Sequence, residues 1–243
     1  MKLKNMNKSI AQPKVLAKWL WWLYGYTYDG LLDFYPYTNL VKEVVSAAGV
    51  QPNDRILDLG CGTGNCLVAV AGLTRNKVTG IDSSPTMLGR GRKKLANHLQ
   101  LNHAELRNED IVSFLKSRPD NDYDRIISIN VLYALSNRPE IWRQLLRVLS
   151  PEGTVTIATP VKTGSGSLIK EQIAQRGIAH SVTIRLLGVF IIDSIINLLG
   201  TTRKLDFPSE NVMRREIETA GGVMSSTRPC YANVNVLYNV RHK

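Results

Sequence analysis

The sequence predicts an α/β domain, with a mostly parallel sheet covered by helices on both faces. Three observations carry that expectation. Between residues 54 and 160, short β-branched apolar runs alternate with helix-length segments, the order that builds parallel strands joined by crossover helices. The first run passes directly into a glycine-rich turn that opens a helix, Ile56-Leu57-Asp58-Leu59-Gly60-Cys61-Gly62-Thr63-Gly64-Asn65. Three acids, Asp58, Asp82 and Asp110, then mark successive strand ends, along the carboxyl edge where open α/β sheets bind ligands. At 243 residues, 44% hydrophobic and 21% charged, the chain suits one soluble globular domain with a sizeable core.

The elements follow in order. Asp54 to Leu59 reads as a strand covered on both faces. Asn76 to Ile81 is the second strand, and Pro85 favours the first turn of a helix running to about His98. Leu101 to Arg107 gives a third strand, followed by a helix from Ile111 to Lys116 that Asp110 can cap. Tyr123 to Asn130 is the fourth strand and Arg138 to Leu149 the next helix. Ser150-Pro151-Glu152-Gly153 reads as a turn, and Thr154 to Thr159 as the fifth strand. A helix capped by Ser209 is expected to end at Gly221-Gly222. Two strands, Val223–Arg228 and Tyr231–Val240, would follow it, turning at Pro229.

The glycine turn and the acids define a ligand. A dinucleotide loop spaces its glycines G-x-G-x-x-G, but here the third glycine comes one residue early and Asn65 follows it. Asp58 places a carboxylate just before the turn, where a pyrophosphate would be repelled and an ammonium attracted. Asp82 stands about twenty residues beyond the turn, the separation at which an acid grips a ribose diol. Asp110 can accept a hydrogen bond from an adenine amino group or cap its helix. Ammonium, ribose and adenine together describe S-adenosylmethionine.

With these residues the sequence resembles the class I S-adenosylmethionine-dependent methyltransferases. Ile56–Asn65, Val78–Leu88, Glu109–Ile111, Tyr123–Leu135 and Leu145–Pro160 follow that family's motif order, and the small-molecule branch of the ubiquinone and menaquinone type (methyltransferase type 11) is the nearest pattern. The resemblance implies a Rossmann-like seven-stranded sheet. It also implies an N-terminal helical cap over residues 1–50, a cofactor-binding core over 51–160, a helical lid insertion over 161–204 and a closing helix and strand pair over 205–243. It places Tyr28, Asp58, Gly60, Cys61, Gly62, Asp82, Ser83, Met87, Asp110, Ile111, Asn130 and Tyr133 around S-adenosylmethionine, with S-adenosylhomocysteine as product. Amino-methyltransferases of DNA and protein glutamine carry Asn/Asp-Pro-Pro-Tyr/Phe after the fourth strand to hold a planar amine. Asn130-Val131-Leu132-Tyr133 lacks the prolines, which favours a small molecule.

Composition narrows the setting. Cys61, Cys66 and Cys230 offer neither a framework of paired bridges nor metal-ligand spacing, and a reducing cytoplasm fits best. The aromatic run from Trp19 to Tyr24 lacks the features of a signal peptide, and no segment reads as a transmembrane helix. The net charge of +11 draws on Lys2, Lys4, Lys8, Lys14 and Lys18 and on the cluster Arg90, Arg92, Lys93 and Lys94. Such clusters suit nucleic acid or anionic lipid, yet a solvated basic face accounts for them as well.

Two regions lie outside the common core. Residues 1–50 concentrate Trp19, Trp21, Trp22, Tyr24, Tyr26, Tyr28, Phe34, Tyr35 and Tyr37, which can pack a cap helix and line a substrate pocket. Between residues 161 and 204, Leu168 to Arg176 reads as a short helix. Val182 to Leu199 is apolar but broken by Arg185, Asp193 and Asn197, which argues against a bilayer span and fits a buried lid helix, with a membrane-surface helix as the alternative. His180 is the one histidine placed to serve as a base, and Arg185 could bind an acidic group on the acceptor. The expected activity is methyl transfer to oxygen, carbon or nitrogen of a lipophilic small molecule, and a peripheral membrane contact is compatible with it. An RNA methyltransferase and a noncatalytic cofactor-binding partner are the alternatives; nucleic acid lacks a recognisable binding module.

Overall fold

The structure is a computed structural model that describes residues 32–100, 103–161, 165–178 and 207–243. Its helices are α1 (Tyr35–Ala48), α2 (Asn65–Ala71), α3 (Pro85–Lys94), α4 (Ala96–Gln100), α5 (Ile111–Ser117), α6 (Arg138–Val148), α7 (Ser165–Arg176) and α8 (Glu210–Thr219). Its strands are β1 (Ile56–Leu59), β2 (Val78–Asp82), β3 (Ala104–Asn108), β4 (Tyr123–Ile129), β5 (Leu149–Pro160), β6 (Gly222–Cys230) and β7 (Asn235–His242). They form one seven-stranded sheet in the order β3-β2-β1-β4-β5-β7-β6. The first five strands pair in parallel, and β7 runs antiparallel to both β5 and β6.

Strand alternation divides the core into two layers. Ile56 of β1, Ile127 of β4, Ala158 of β5 and Leu237 of β7 face a cluster that holds Leu40 and Val44 of α1, Leu67 and Val70 of α2, and Leu168 of α7. Leu57, Ile126, Val155, Ile157 and Tyr238 face the other way, onto Phe114 of α5, Trp142 and Leu145 of α6, and Met213 and Ile217 of α8. Ion pairs tie elements at the margins. Arg138, only 8% exposed on its side chain, binds Glu216 at 3.1 and 3.0 Å and so joins α6 to α8. Arg55 grips Asp124 with two 2.9 Å bonds from its guanidinium, which holds the Asp124 carboxyl well below its usual range and fixes the start of β1 beside β4.

Four boundaries differ from those expected. The helix from Pro85 breaks at Leu95, whose buried side chain turns inward against Gly64 and ends α3 before α4 begins. β3 starts at Ala104, and residues 101 and 102 lie outside the described set. Ser150–Gly153 is not a turn between α6 and β5: the strand begins at Leu149, opposite Tyr123, and the ladder resumes with Arg125 opposite Thr154. The intervening residues bulge, which excuses Pro151 from donating a ladder bond. Pro229 likewise lies inside β6, tolerated because β6 is an edge strand, and the reversal falls instead at Tyr231, Ala232 and Asn233, all at positive φ. The cap before residue 32 and the apolar segment Val182–Leu199, with Tyr28, His180 and Arg185, lie outside the described residues. No helix among the described residues is long and apolar enough to cross a membrane.

Candidate functional site

The site is built on the turn between β1 and α2. Gly60, Gly62 and Gly64 all take positive φ, at 66°, 55° and 78°, a region that side chains disfavour. Gly60 is also closely covered, since a Cβ there would stand 2.3 Å from Cγ2 of Val131. The turn is pinned to the next strand by the Cys61 N–H, which donates to the Ile81 carbonyl at 2.9 Å. Burial pushes the Cys61 and Cys66 thiols well up, so both stay neutral.

Two acids meet beneath and beside this turn. Asp58 is 2% exposed, and its Oδ2 is buried with no hydrogen-bond partner. Burial first, then the nearby charge of Asp82, raises its pKa to about 7. Such a carboxyl group lacks a counter-charge, and a cation bound at the turn would supply one. Asp82 ends β2. Its Oδ2 accepts from the Gly62 N–H at 3.0 Å and its Oδ1 from the Ser84 N–H at 2.7 Å. These two backbone donors partly offset the upward push of burial on its pKa and fix the carboxylate plane. One acceptor position on each oxygen remains for a pair of hydroxyls.

The other expected contacts are spread along the same edge. Ser83 is exposed, and Met87 is buried in the first turn of α3, where its N–H donates to the capping Ser84 Oγ. Asp110 caps α5, with Oδ1 accepting from the Ser113 N–H at 3.0 Å and the Ser113 hydroxyl at 3.1 Å, so capping engages one oxygen and leaves Oδ2. Ile111 is buried behind it. Asn130 leaves β4 at φ 58°, and Tyr133 stacks on Phe207 with ring centroids 5.8 Å apart.

A polar group that the sequence reading did not assign lies on the α1 side of the turn. Lys94 reaches from the end of α3 to Thr63 Oγ1 at 3.1 Å and to Asn65 Oδ1, while Asn65 Nδ2 donates to the Tyr37 hydroxyl at 3.4 Å. Lys94 thus bolts α3 to the turn, which removes it from the solvated basic face suggested by its neighbours. The signal was present in Asn65, the departure from the dinucleotide pattern. Asn235, whose amide binds Asn130, was also missed.

The orphaned Asp58 oxygen, the glycine-rich turn and the backbone-held Asp82 fit a ligand that carries an ammonium group and a ribose. The chain matches the family model described as a methyltransferase domain over residues 51–183. It is 30% identical over 132 residues to a demethylmenaquinone methyltransferase of Bacillus cereus, a match covering 52% of this chain and 53% of that protein. The chain therefore spans about half the length of the curated relatives it matches. In fold it is similar to an Aquifex aeolicus SAM-dependent methyltransferase, with a TM-score of 0.58 at 18% identity, covering 86% of this chain and 92% of the other. It is equally similar to the magnesium protoporphyrin IX methyltransferase of Synechocystis with bound SAH, with a TM-score of 0.58 at 16% identity, covering 86% and 85%.

Proposed function

The chain belongs to the methyltransferase-domain family, and from that premise we propose that it transfers a methyl group from S-adenosylmethionine to a small lipophilic acceptor. The observation that carries this reading is the pair of acids at the turn: a buried carboxylate awaiting a cation and a second one presented for two hydroxyls. Asp58 would balance the ammonium of the methionine moiety, Asp82 would take the ribose diol, and Gly60 to Gly62 would let backbone lie against the ligand. The bound cofactor supplies an electrophilic methyl on a sulfonium. An acceptor entering already ionised would take that methyl through its lone pair, with S-adenosylhomocysteine leaving as the thioether, so transfer to oxygen would release no proton in the closed site. The protein's part is to align the two reactants and exclude water, so no fixed base is required.

For the acceptor, support comes from the Bacillus cereus relative, whose name specifies demethylmenaquinone, and from the aromatic and apolar character of residues 1–50 and 182–199. A lipophilic acceptor would be met at a membrane surface, where the five lysines before Asp29 can attract anionic headgroups. The test is incubation of the full chain with methyl-labelled S-adenosylmethionine and, in parallel, an organic extract of cells and total RNA. Label entering the organic extract is the expected result. Label entering RNA alone would replace this reading with an RNA methyltransferase.

A further inference from the structure

At the acceptor side of the turn, β4 ends in an arrangement that specifies polarity. Asn130 stands at φ 58° with its N–H donating to the Ala158 carbonyl at 2.9 Å, so its backbone is held by β5. The next residue, Val131, is the one packed over Gly60, which places Asn130 at the seam between the glycine turn and the ends of β5 and β7. Its side chain is held too. Oδ1 accepts a 2.6 Å hydrogen bond from Nδ2 of Asn235, the first residue of β7 and 105 positions away. Asn235 is 1% exposed, and its own Oδ1 is buried with no partner, so this contact is the one side-chain bond recorded for it among the described residues.

The two ends of an amide differ: one accepts and the other donates. Asn235 engages the accepting end of Asn130, and no described residue takes the Nδ2 hydrogens of this half-buried side chain. We infer that Asn235 is a positioning residue that locks Asn130 as a hydrogen-bond donor toward the acceptor site, which thereby selects an acceptor presenting an ionised oxygen, a phenolate or enolate, over a planar amine. A planar amine would have to share the Asn130 oxygen, which already accepts from Asn235, through its second lone pair, whereas no described residue takes the Nδ2 hydrogens that an anionic oxygen would meet. An anionic oxygen meets Nδ2 in a charge-assisted bond, stronger than a neutral one. The inference rests on the methyltransferase reading and narrows its acceptor class to oxygen nucleophiles and to carbons activated by such an oxygen.

The test uses two probes of nearly equal shape. 2-Hydroxy-1,4-naphthoquinone is a vinylogous acid, ionised near neutral pH, and 2-amino-1,4-naphthoquinone places NH2 at the same position. Each is titrated calorimetrically into the full chain saturated with S-adenosylhomocysteine. The wild type should prefer the hydroxy compound by about tenfold or more, as expected when one bond is to a charged partner. Asn130→Asp keeps an oxygen for Asn235 and turns the other outward, so it should reverse the preference. Asn235→Leu keeps the volume but frees the Asn130 amide, and the preference should fall to about threefold or less while affinity for S-adenosylhomocysteine stays within about twofold. A merely structural role for Asn235 would weaken both probes equally and leave their ratio alone. The inference is overturned by a wild type that binds the two probes equally or binds neither, or by an Asn235→Leu variant that retains the full ratio. Failure of the wild type to bind S-adenosylhomocysteine would instead remove the methyltransferase reading.

Discussion

Around β1 and β2, the carboxyl edge of the sheet is built from backbone; around β4, β5 and β7, it is built from side-chain amides. In the first region three glycines at positive φ make the turn, and the N–H groups of Gly62 and Ser84 set the Asp82 carboxylate. In the second region the positioning contact runs between Asn130 and Asn235, side chains that the chain brings together across 105 residues. The difference separates two tasks. A ligand common to a whole family can be held by a local loop whose geometry only glycine permits. An acceptor peculiar to one member is better recognised by side chains, which change without rebuilding the turn.

The largest expected effect breaks the first region. Gly60→Val puts a branched side chain at φ 66°, where its Cβ would lie 2.3 Å from Val131. Overpacking together with backbone strain should cost about 3 kcal/mol of stability. S-adenosylhomocysteine binding should vanish, and thermal melting should show a fall of roughly 6–12 °C. Unchanged melting with retained binding would place the ligand elsewhere.

Next comes Asp82→Ala. It removes two charge-assisted bonds to ribose, worth together about 2–4 kcal/mol, and affinity for S-adenosylhomocysteine should weaken by tens-fold or more. The same titration on Asp110→Ala discriminates between capping and adenine contact: a loss of stability alone assigns capping, and a loss of affinity at constant melting temperature assigns adenine.

A third prediction follows from Asp58, whose pKa of about 7 is raised chiefly by burial. A raised carboxyl pKa means that the folded, ligand-free chain holds a proton that the unfolded chain releases near pH 4. This group's contribution to stability is therefore present at low pH and is lost as pH rises toward 7. Binding of an ammonium ligand should reverse the balance by favouring the carboxylate. Titrations near pH 6.5 in buffers of different ionisation heat should thus show proton release, and affinity should fall by up to about tenfold per unit below pH 7. An Asp58→Asn variant with the same pH profile would detach the effect from this residue.

How much of this was legible in the sequence divides along the same line. The turn, the acids and the parallel strand order could be read because each is encoded locally, by glycine spacing or by an acid at a strand end. The ends of α3, β5 and β6 could not, because Leu95 turns inward to meet Gly64 and the residues around Pro151 bulge against β4, both tertiary events. Pro229 signalled a turn by composition, but an edge position made it harmless, and three residues at positive φ made the turn without a proline. Asn235 carried no signal at all. An asparagine opening a late strand becomes functional only when β7 is inserted beside β5, a placement that no local pattern announces.

The smallest expected effect probes whether the two regions are separable. Tyr133 follows Asn130 in the short helical turn after β4 and stacks on Phe207, shortly before α8, at an interplanar angle of 16°. The proposed reading gives this pair to the acceptor, whereas the family resemblance set Tyr133 beside the cofactor. Removing one ring of a stacked pair costs about 0.5–1.5 kcal/mol, so Tyr133→Ala should weaken 2-hydroxy-1,4-naphthoquinone binding to the S-adenosylhomocysteine complex by roughly two- to tenfold. Affinity for S-adenosylhomocysteine itself should stay within about twofold, because the glycine turn is pinned through the Cys61 N–H and the Asp82 carboxylate through the N–H groups of Gly62 and Ser84. Tyr133→Phe keeps the ring and should restore the naphthoquinone affinity. If Tyr133→Ala weakens both ligands in equal measure, Tyr133 belongs to the cofactor's half of the edge and the division falls between Asn130 and Tyr133 rather than at the glycine turn.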